Sequence, residues 1–173
     1  MTNEEILQTD SQLQILNEVN RICESNDIHI WLRGGWAIDF LLGGITRSHE
    51  DLDLVTWVSN REVMEEALVK EGFERLPISD RQTDFRKNEV DIQFLYMTQT
   101  DGSISPHNLP EWLWRADSLP PGLYQLNGIS MRVVSPQQLL EEKQVYEQIG
   151  RKPRDKDQES KRILQKIIEH MKN

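Results

Sequence analysis

Glu50, Asp51 and Asp53 put three carboxylates within four positions, where an apolar run from Leu52 to Val58 begins. Residues i and i+2 of an extended chain share a face, so the two aspartates point the same way. Acids held side by side repel, which raises one pKa unless a cation lies between them. A divalent metal resolves the conflict, and hard carboxylate oxygens favour magnesium, with manganese as a substitute. A bare Asp-x-Asp is more often a pair of solvated strand-end acids, so the reading leans on a second feature upstream, Gly34-Gly35. Glycine between a strand and a helix lets backbone approach a phosphate closely, and the free N–H groups at the helix start face the anion. Several familiar phosphate and metal motifs are excluded. Trp36 and Ile38 stand where a dinucleotide fingerprint needs glycines, and no Gly-Lys-Ser or Gly-Lys-Thr follows. Val55 and Thr56 occupy positions where a calcium loop wants an oxygen ligand and a glycine. Metal-dependent sugar transferases also use Asp-x-Asp, but with a longer nucleotide-binding region before it.

The elements that must position these residues follow from periodicity and caps. Apolar residues Ile6, Leu13, Leu16, Val19, Ile22 and Cys23 recur in helical steps, and Thr2 with Glu5 forms a capping box, predicting a helix to Ser25. Asp27 to Arg33 alternates as a half-buried strand and ends at Gly34-Gly35. Trp36 to Leu42 reads as a short buried helix closed by Gly43-Gly44. Leu52 to Val58 is a strand, after which Ser59 and Glu62 read as a second capping box opening a helix to about Glu71. Val90 to Met97 is a further strand that sets Asp91 and Gln93 on one face against Val90, Ile92 and Phe94, and Asp101-Gly102 ends it. Asn127-Gly128 joins Leu123–Leu126 to Ile129–Val134 in a hairpin. Ser135-Pro136-Gln137-Gln138 starts a helix to about Ile149, and a basic stretch, Arg151 to Lys156, leads to a last helix ending near Met171. The expected fold class is α/β (α+β), a mixed sheet with flanking helices and a C-terminal helical segment. We expect a single domain over 1–173, its catalytic core at about 1–105 and the hairpin and C-terminal helices at about 106–173.

Gly34-Gly35, Asp51-x-Asp53 on the next strand and Asp91 on a later one resemble the signature of the polymerase-β-like nucleotidyltransferase superfamily. Within it, Trp31-Leu-Arg-Gly-Gly-Trp-Ala-Ile-Asp39, Gly43 and Thr46-Arg-Ser-His-Glu-Asp-Leu-Asp-Leu54 resemble the small antibiotic nucleotidyltransferases, the aminoglycoside 2''-adenylyltransferase and lincosamide nucleotidyltransferase branch. The likeness is strong from about 29 to 55, moderate around Asp91, and recognisable through Ser135 and Lys156-Asp157. Gly35 departs from the wider superfamily, which often has serine there, but agrees with the antibiotic branch. The resemblance implies transfer of a nucleoside monophosphate, AMP from ATP, to a hydroxyl of an aminoglycoside-like acceptor with release of pyrophosphate. Asp51, Asp53 and Asp91 are then the metal ligands, for two magnesium ions, and Asp91 takes the acceptor proton directly or through water. Arg47 and His49 could reach triphosphate oxygens, or Arg47 could pair with Asp39 and fix the loop. Lys156 aligns with a phosphate-contacting lysine, so the expected nucleotide set is Gly34, Gly35, Arg47, His49 and Lys156. A lincosamide acceptor, or an antitoxin-like module acting on another protein, is the rival.

Composition bounds the rest. The 173 residues are 37% hydrophobic and 28% charged, enough for one self-sufficient core. One cysteine, Cys23, leaves no intrachain disulfide, and we assign Cys23 and His29 to structure. The start, Met1-Thr2-Asn3-Glu4-Glu5, is acidic where a signal peptide would be basic, and a cytoplasmic location is expected. A net charge of −9 disfavours a nucleic-acid backbone and suits a cationic acceptor, toward which Glu50, Asp84, Glu89 and Asp91 would add local attraction. The stretch from Arg151 to Arg162 reverses that charge locally. Trp112 and Trp114, in a proline-flanked loop, are candidates for a wall of the acceptor pocket or for packing, while Trp31, Trp36 and Trp57 are expected to pack around the strands.

Overall fold

A computed structural model describes residues 1–148 and 155–172, so the basic residues Arg151, Lys152 and Arg154 lie outside the described part. The first helix, α1 (Asn3–Ser25), carries the expected capping box: Thr2 Oγ1 accepts from the Glu5 N–H, and Glu5 reaches back to the Thr2 N–H. Strand β1 is shorter than its alternation suggested, Trp31–Arg33, and Gly34 already opens α2 (Gly34–Leu42). Gly43 closes that helix in the left-handed region, φ 76°, as the sequence predicted.

Strand β2 (Leu52–Trp57) leads through a 3-10 turn, Val58–Asn60, into α3 (Arg61–Lys70). The second capping box does not form, because that extra turn moves the N-cap one residue on, from Ser59 to Asn60. Asn60 precedes the helix instead, with its side-chain amide donating back to Thr56 Oγ1. Two strands then appear that the sequence reading left out, β3 (Glu74–Ser79) and β4 (Gln82–Lys87). Lys87 pairs with Val90 at the start of β5 (Val90–Thr100), so Asn88-Glu89 is a two-residue turn with both φ angles positive. Hairpin turns of this kind ordinarily advertise themselves with a glycine second, and Glu89 conceals this one. Asp101-Gly102 likewise closes a hairpin, from β5 to β6 (Ser103–Pro106), rather than only ending a strand. The Asn127-Gly128 hairpin joins β7 (Leu123–Leu126) to β8 (Ile129–Val133), and two helices follow, α4 (Pro136–Gln148) and α5 (Asp155–Met171). Ser135 caps α4 by accepting from the Gln138 N–H, but the Gln138 side chain is diverted to accept from the Arg115 N–H.

The strands form one mixed sheet in the order β3-β4-β5-β2-β1-β8-β7, with β6 against the far end of β5. Parallel pairing of β2 with β5 sets Leu52 beside Ile92 and Leu54 beside Phe94, all fully buried. That row is the apolar face of the sheet centre. The opposite face therefore carries Asp53 and Gln93, which are also register partners. Helices α1 and α3 contact each other, α2 packs on β1, β2, β7 and β8, and α5 packs on α2 and α4. No described helix is long and apolar enough to cross a membrane. Buried Cys23, its thiol pushed up to about 12 by burial, is inert as a nucleophile at neutral pH.

Glu65 ties α3 to the sheet. Its carboxylate accepts from Arg61 Nε at 2.8 Å, Arg75 Nη1 at 2.9 Å and Thr83 Oγ1 at 2.8 Å. Burial pushes its pKa up, yet the donors from Arg61, Thr83 and Arg75 outweigh that, and the net shift is downward. A folded pKa below the unfolded one contributes stability that is present above the unfolded value and is lost as pH falls through the folded value. Glu65→Gln is therefore expected to lower stability by about 2 kcal/mol at neutral pH. In urea unfolding series the gap between variant and parent should close as pH drops below the ordinary glutamate range, near ~4.

Candidate active site

Parallel register carries Leu52 beside Ile92, so Asp51, one residue before β2, comes beside Asp91, the second residue of β5. On the other side of β5, β4 brings Asp84 opposite Gln93 and Arg86 opposite Asp91. One face of three neighbouring strands thus gathers Asp51, Asp53, Asp84 and Asp91, at the end of the sheet where β2 and β5 begin. Burial and neighbouring charge raise the carboxyls of Asp51 and Asp53. Asp51 is raised by burial, then by Glu50 and Asp91, with Lys156 pulling the other way. Asp53 is pushed up to about 6 by burial, against the downward pull of Arg33 and with the upward push of Asp51.

Gly34 and Gly35 press directly on this face. Gly34 has φ 71°, a left-handed conformation, and a Cβ there would fall 2.5 Å from Asp53 Oδ2. A Cβ on Gly35 would fall 2.3 Å from His49 Nδ1 and 3.1 Å from Arg47 Nη2. The space that serine would occupy is filled here by the His49 ring, which gives the Gly35 departure a steric cause. His49 cannot yield easily. Its Nε2 lies 2.6 Å from Asp39 Oδ2, its ring packs 4.8 Å from the Trp36 ring, and its carbonyl accepts from Gln12 Nε2 at 2.8 Å.

Two sequence expectations change at this loop. Arg47 does not pair with Asp39, because that fully buried carboxylate is taken by Thr46 Oγ1 at 2.6 Å and by His49. Arg47 instead donates to the Ser48 carbonyl at 3.0 Å and lies along the Gly-Gly turn, where a nucleotide contact stays open to it. His49 is 5% exposed, with Nε2 committed to Asp39 and Nδ1 aimed at Gly35 without a hydrogen-bond partner among the described residues. It underlies the phosphate turn rather than lining it. Lys156 is brought to the site as expected: from α5 its Nζ lies 3.9 Å from Glu50 Oε1, and its charge acts on Asp51.

The structure adds Arg33 and Glu142, which the sequence reading missed. Arg33 on β1 is the register partner of Asp53, and its Nη2 lies 3.6 Å from Glu142 Oε1 on α4. Burial raises the Glu142 carboxyl while Arg33 and Lys143 pull it down, so a buried acid on a distant helix holds the cation that balances Asp53. Only the arginine immediately before the glycine pair hinted at this. Trp112 and Trp114 take the packing role, one of the two the sequence left open. Trp114 bridges to Ile104 on β6, at the end of β5 remote from Asp91; it is buried, and Trp112 packs on the same core. Trp31 and Trp36 are core as expected, with Trp57 packed against them.

The donor set fits a hard divalent cation at Asp51 and Asp53: two carboxylates raised by burial, with Asp51 adding to the rise at Asp53 and Glu50, Asp84 and Asp91 adding negative potential. Among the described residues no three His, Cys, Asp or Glu side chains already enclose a point. Magnesium seldom needs such a cage, being held by one or two carboxylates with substrate phosphate and water completing the shell.

With this geometry in view, the model of the aminoglycoside-2''-adenylyltransferase family matches residues 15–164. The chain belongs to that family. Curated relatives in the same vein are 2''-aminoglycoside nucleotidyltransferases of Klebsiella pneumoniae and Escherichia coli, each 35% identical over 60 residues, 35% of this chain and 33% of the relative. The aligned stretch thus spans about a third of the curated relatives' length. Among solved structures, ANT(2'')-Ia in complex with adenylyl-2''-tobramycin shares the fold at TM-score 0.76 and 19% identity, covering 89% of this chain and 87% of that one. Lincomycin-bound LnuA, a lincosamide antibiotic adenylyltransferase, superposes at TM-score 0.68 and 17% identity over 96% and 98%. The antibiotic-nucleotidyltransferase fold read from the motif is therefore present.

The packing under the family's glycine pair is directly testable. Gly35→Ala is expected to displace His49, lower stability by roughly 1–3 kcal/mol and weaken nucleotide binding in calorimetry by about tenfold. Gly44→Ala, where a Cβ meets nothing within 4 Å, should change neither.

Proposed function

We propose that this chain, acting as one unit, transfers AMP from a magnesium-bound ATP to a hydroxyl of an aminoglycoside-like antibiotic. The observation that carries the proposal is the register of β2 on β5, which brings Asp91 beside Asp51 on the face where Asp53 lies against Gly34. In this reading Asp51 and Asp53, with Asp91 completing the set, would hold magnesium, which would supply positive charge at the reacting phosphate and at the departing pyrophosphate. The chain's own residues do the rest. Backbone N–H groups at the start of α2 bind phosphate oxygens, helped by Arg47 from the adjoining loop and Lys156 from α5. Arg33 keeps Asp53 charged and aimed. Asp91, half-exposed where Asp53 is largely covered, receives the acceptor hydroxyl and takes its proton, directly or through water. The acidic rim of Glu50, Asp84 and Asp91 favours a cationic acceptor, in keeping with a net charge of −9.

The acceptor is tested by incubating the protein with each of the four nucleoside triphosphates and magnesium against a panel of aminoglycosides and lincosamides. A gain of one nucleotide mass on an aminoglycoside is the expected result. Labelling of a lincosamide alone would move the acceptor to the lincosamide class, that of LnuA. Asp53→Asn keeps shape but removes the charge that balances a metal, so turnover should fall by orders of magnitude while the thermal unfolding transition persists. Asp91→Asn should reduce kcat far more than ATP affinity, because its task is at the acceptor. A large loss of ATP affinity with kcat preserved would instead make Asp91 a nucleotide-side ligand.

A further inference from the structure

Among the described residues, Arg86 is the cation that the sheet sets directly against the proposed acceptor-side carboxylate. It stands opposite Asp91 in the β4–β5 ladder, and its Nη1 donates to Asp91 Oδ1 at 3.0 Å. The two side chains are 48% and 53% exposed, so the contact faces the side from which an acceptor must arrive. Its nearest neighbours on that face in β4 and β5 are Asp84, Gln93 and Asp91. Asp84 precedes Arg86 by two residues and so shares its face, and its charge reaches both Asp51 and Asp53. An acceptor hydroxyl that delivers its proton to Asp91 must approach the oxygens on which Arg86 now sits. If that acceptor carries an ammonium beside the hydroxyl, the ammonium and the guanidinium compete for one carboxylate and repel each other. Direct opposition across the ladder, with Cβ atoms about 5 Å apart, makes this a consequence of strand register and not of one rotamer.

Resting on the aminoglycoside reading above, we propose that Arg86 is a specificity-determining residue on the acceptor side, disfavouring acceptors with an ammonium group next to the reacting hydroxyl. The contact itself is weak: ion pairs this exposed contribute about 0–1 kcal/mol, so Arg86 taxes a cationic acceptor without closing the site to it. An acceptor with a neutral group at that point leaves Arg86 in place on Asp91 Oδ1 and meets the other carboxylate oxygen. The effect belongs to acceptor affinity. ATP, on the far side of Asp91 against Asp51, Asp53 and the glycine turn, is outside its reach.

The test compares the parent with Arg86→Gln and Arg86→Lys, using tobramycin as the polycation and lincomycin as a drug with a single amine. Calorimetric Kd and steady-state KM are both read. Arg86→Gln is expected to tighten tobramycin binding and lower its KM about five- to tenfold, the scale of one like charge removed near the surface. Lincomycin and ATP should stay within twofold, and Arg86→Lys, which keeps the charge, should remain close to the parent. Unchanged or weaker tobramycin binding by Arg86→Gln overturns the proposal, as does an equal shift in the KM for ATP. Binding is read without turnover, so the two readings separate. If the glutamine variant binds tobramycin more tightly while neither protein labels any drug, Arg86 has the assigned role and the transfer reaction is wrong. If the parent labels aminoglycosides and the variant binds them equally well, the reaction stands and the role of Arg86 falls.

Discussion

The Asp39 carboxylate, with no solvent exposure, anchors the loop on which the candidate site depends. One oxygen accepts from Thr46 and the other from His49, each at 2.6 Å. A buried carboxylate without such donors would be very costly, so the loop from Thr46 to His49 has little freedom to leave it. Gln12 extends the clamp by donating to the His49 carbonyl and accepting from the Trp36 indole at 3.0 Å, which links α1, α2 and the loop. Asp51 follows two residues later. A single buried acid on a short helix therefore sets both the floor of the glycine turn and the entry of the chain into β2.

Above that clamp the site is electrostatically unbalanced by construction. Four carboxylates share one sheet face, and Asp53 sits at about 6 even with Arg33 beside it. Carboxyls perturbed in this way cluster at functional sites. The counter-charges come from elements far apart in the chain: Arg33 from β1, held by Glu142 of α4, and Lys156 from α5. Helices α4 and α5 are thereby coupled to the carboxylates, and the C-terminal segment belongs to the site rather than standing beside it.

The acceptor side is built differently. The segment around Trp112 and Trp114 packs on β6 and on the start of α4: the Trp114 N–H donates to the Ile104 carbonyl, the Arg115 N–H to Gln138 Oε1 and the Ser135 N–H to the Ser118 carbonyl. Its work is to cover the sheet. What faces the proposed acceptor is the β4–β5 hairpin, through Asp84, Arg86 and Asp91.

The sequence by itself determined what is local. Thr2 with Glu5, Gly43 after a dense apolar run, Asn127-Gly128 and Ser135-Pro136 each act within a few residues, and each formed as read. Asp51-x-Asp53 and Gly34-Gly35 were legible for the same reason, because spacing alone puts two acids on one face and frees a turn. Ser59 failed where a 3-10 turn intervened, and β3 and β4 escaped notice because Asn88-Glu89 makes its turn without glycine. Tertiary structure decided the partners. That Asp91 lies beside Asp51, that Arg86 covers Asp91, that His49 is folded beneath Gly35 and that Glu142 reaches Arg33 all depend on which strands pair and in what register. Pairing of this kind is settled by burial of the whole apolar face, not by the residues that happen to meet across it, so no short stretch of sequence contains it.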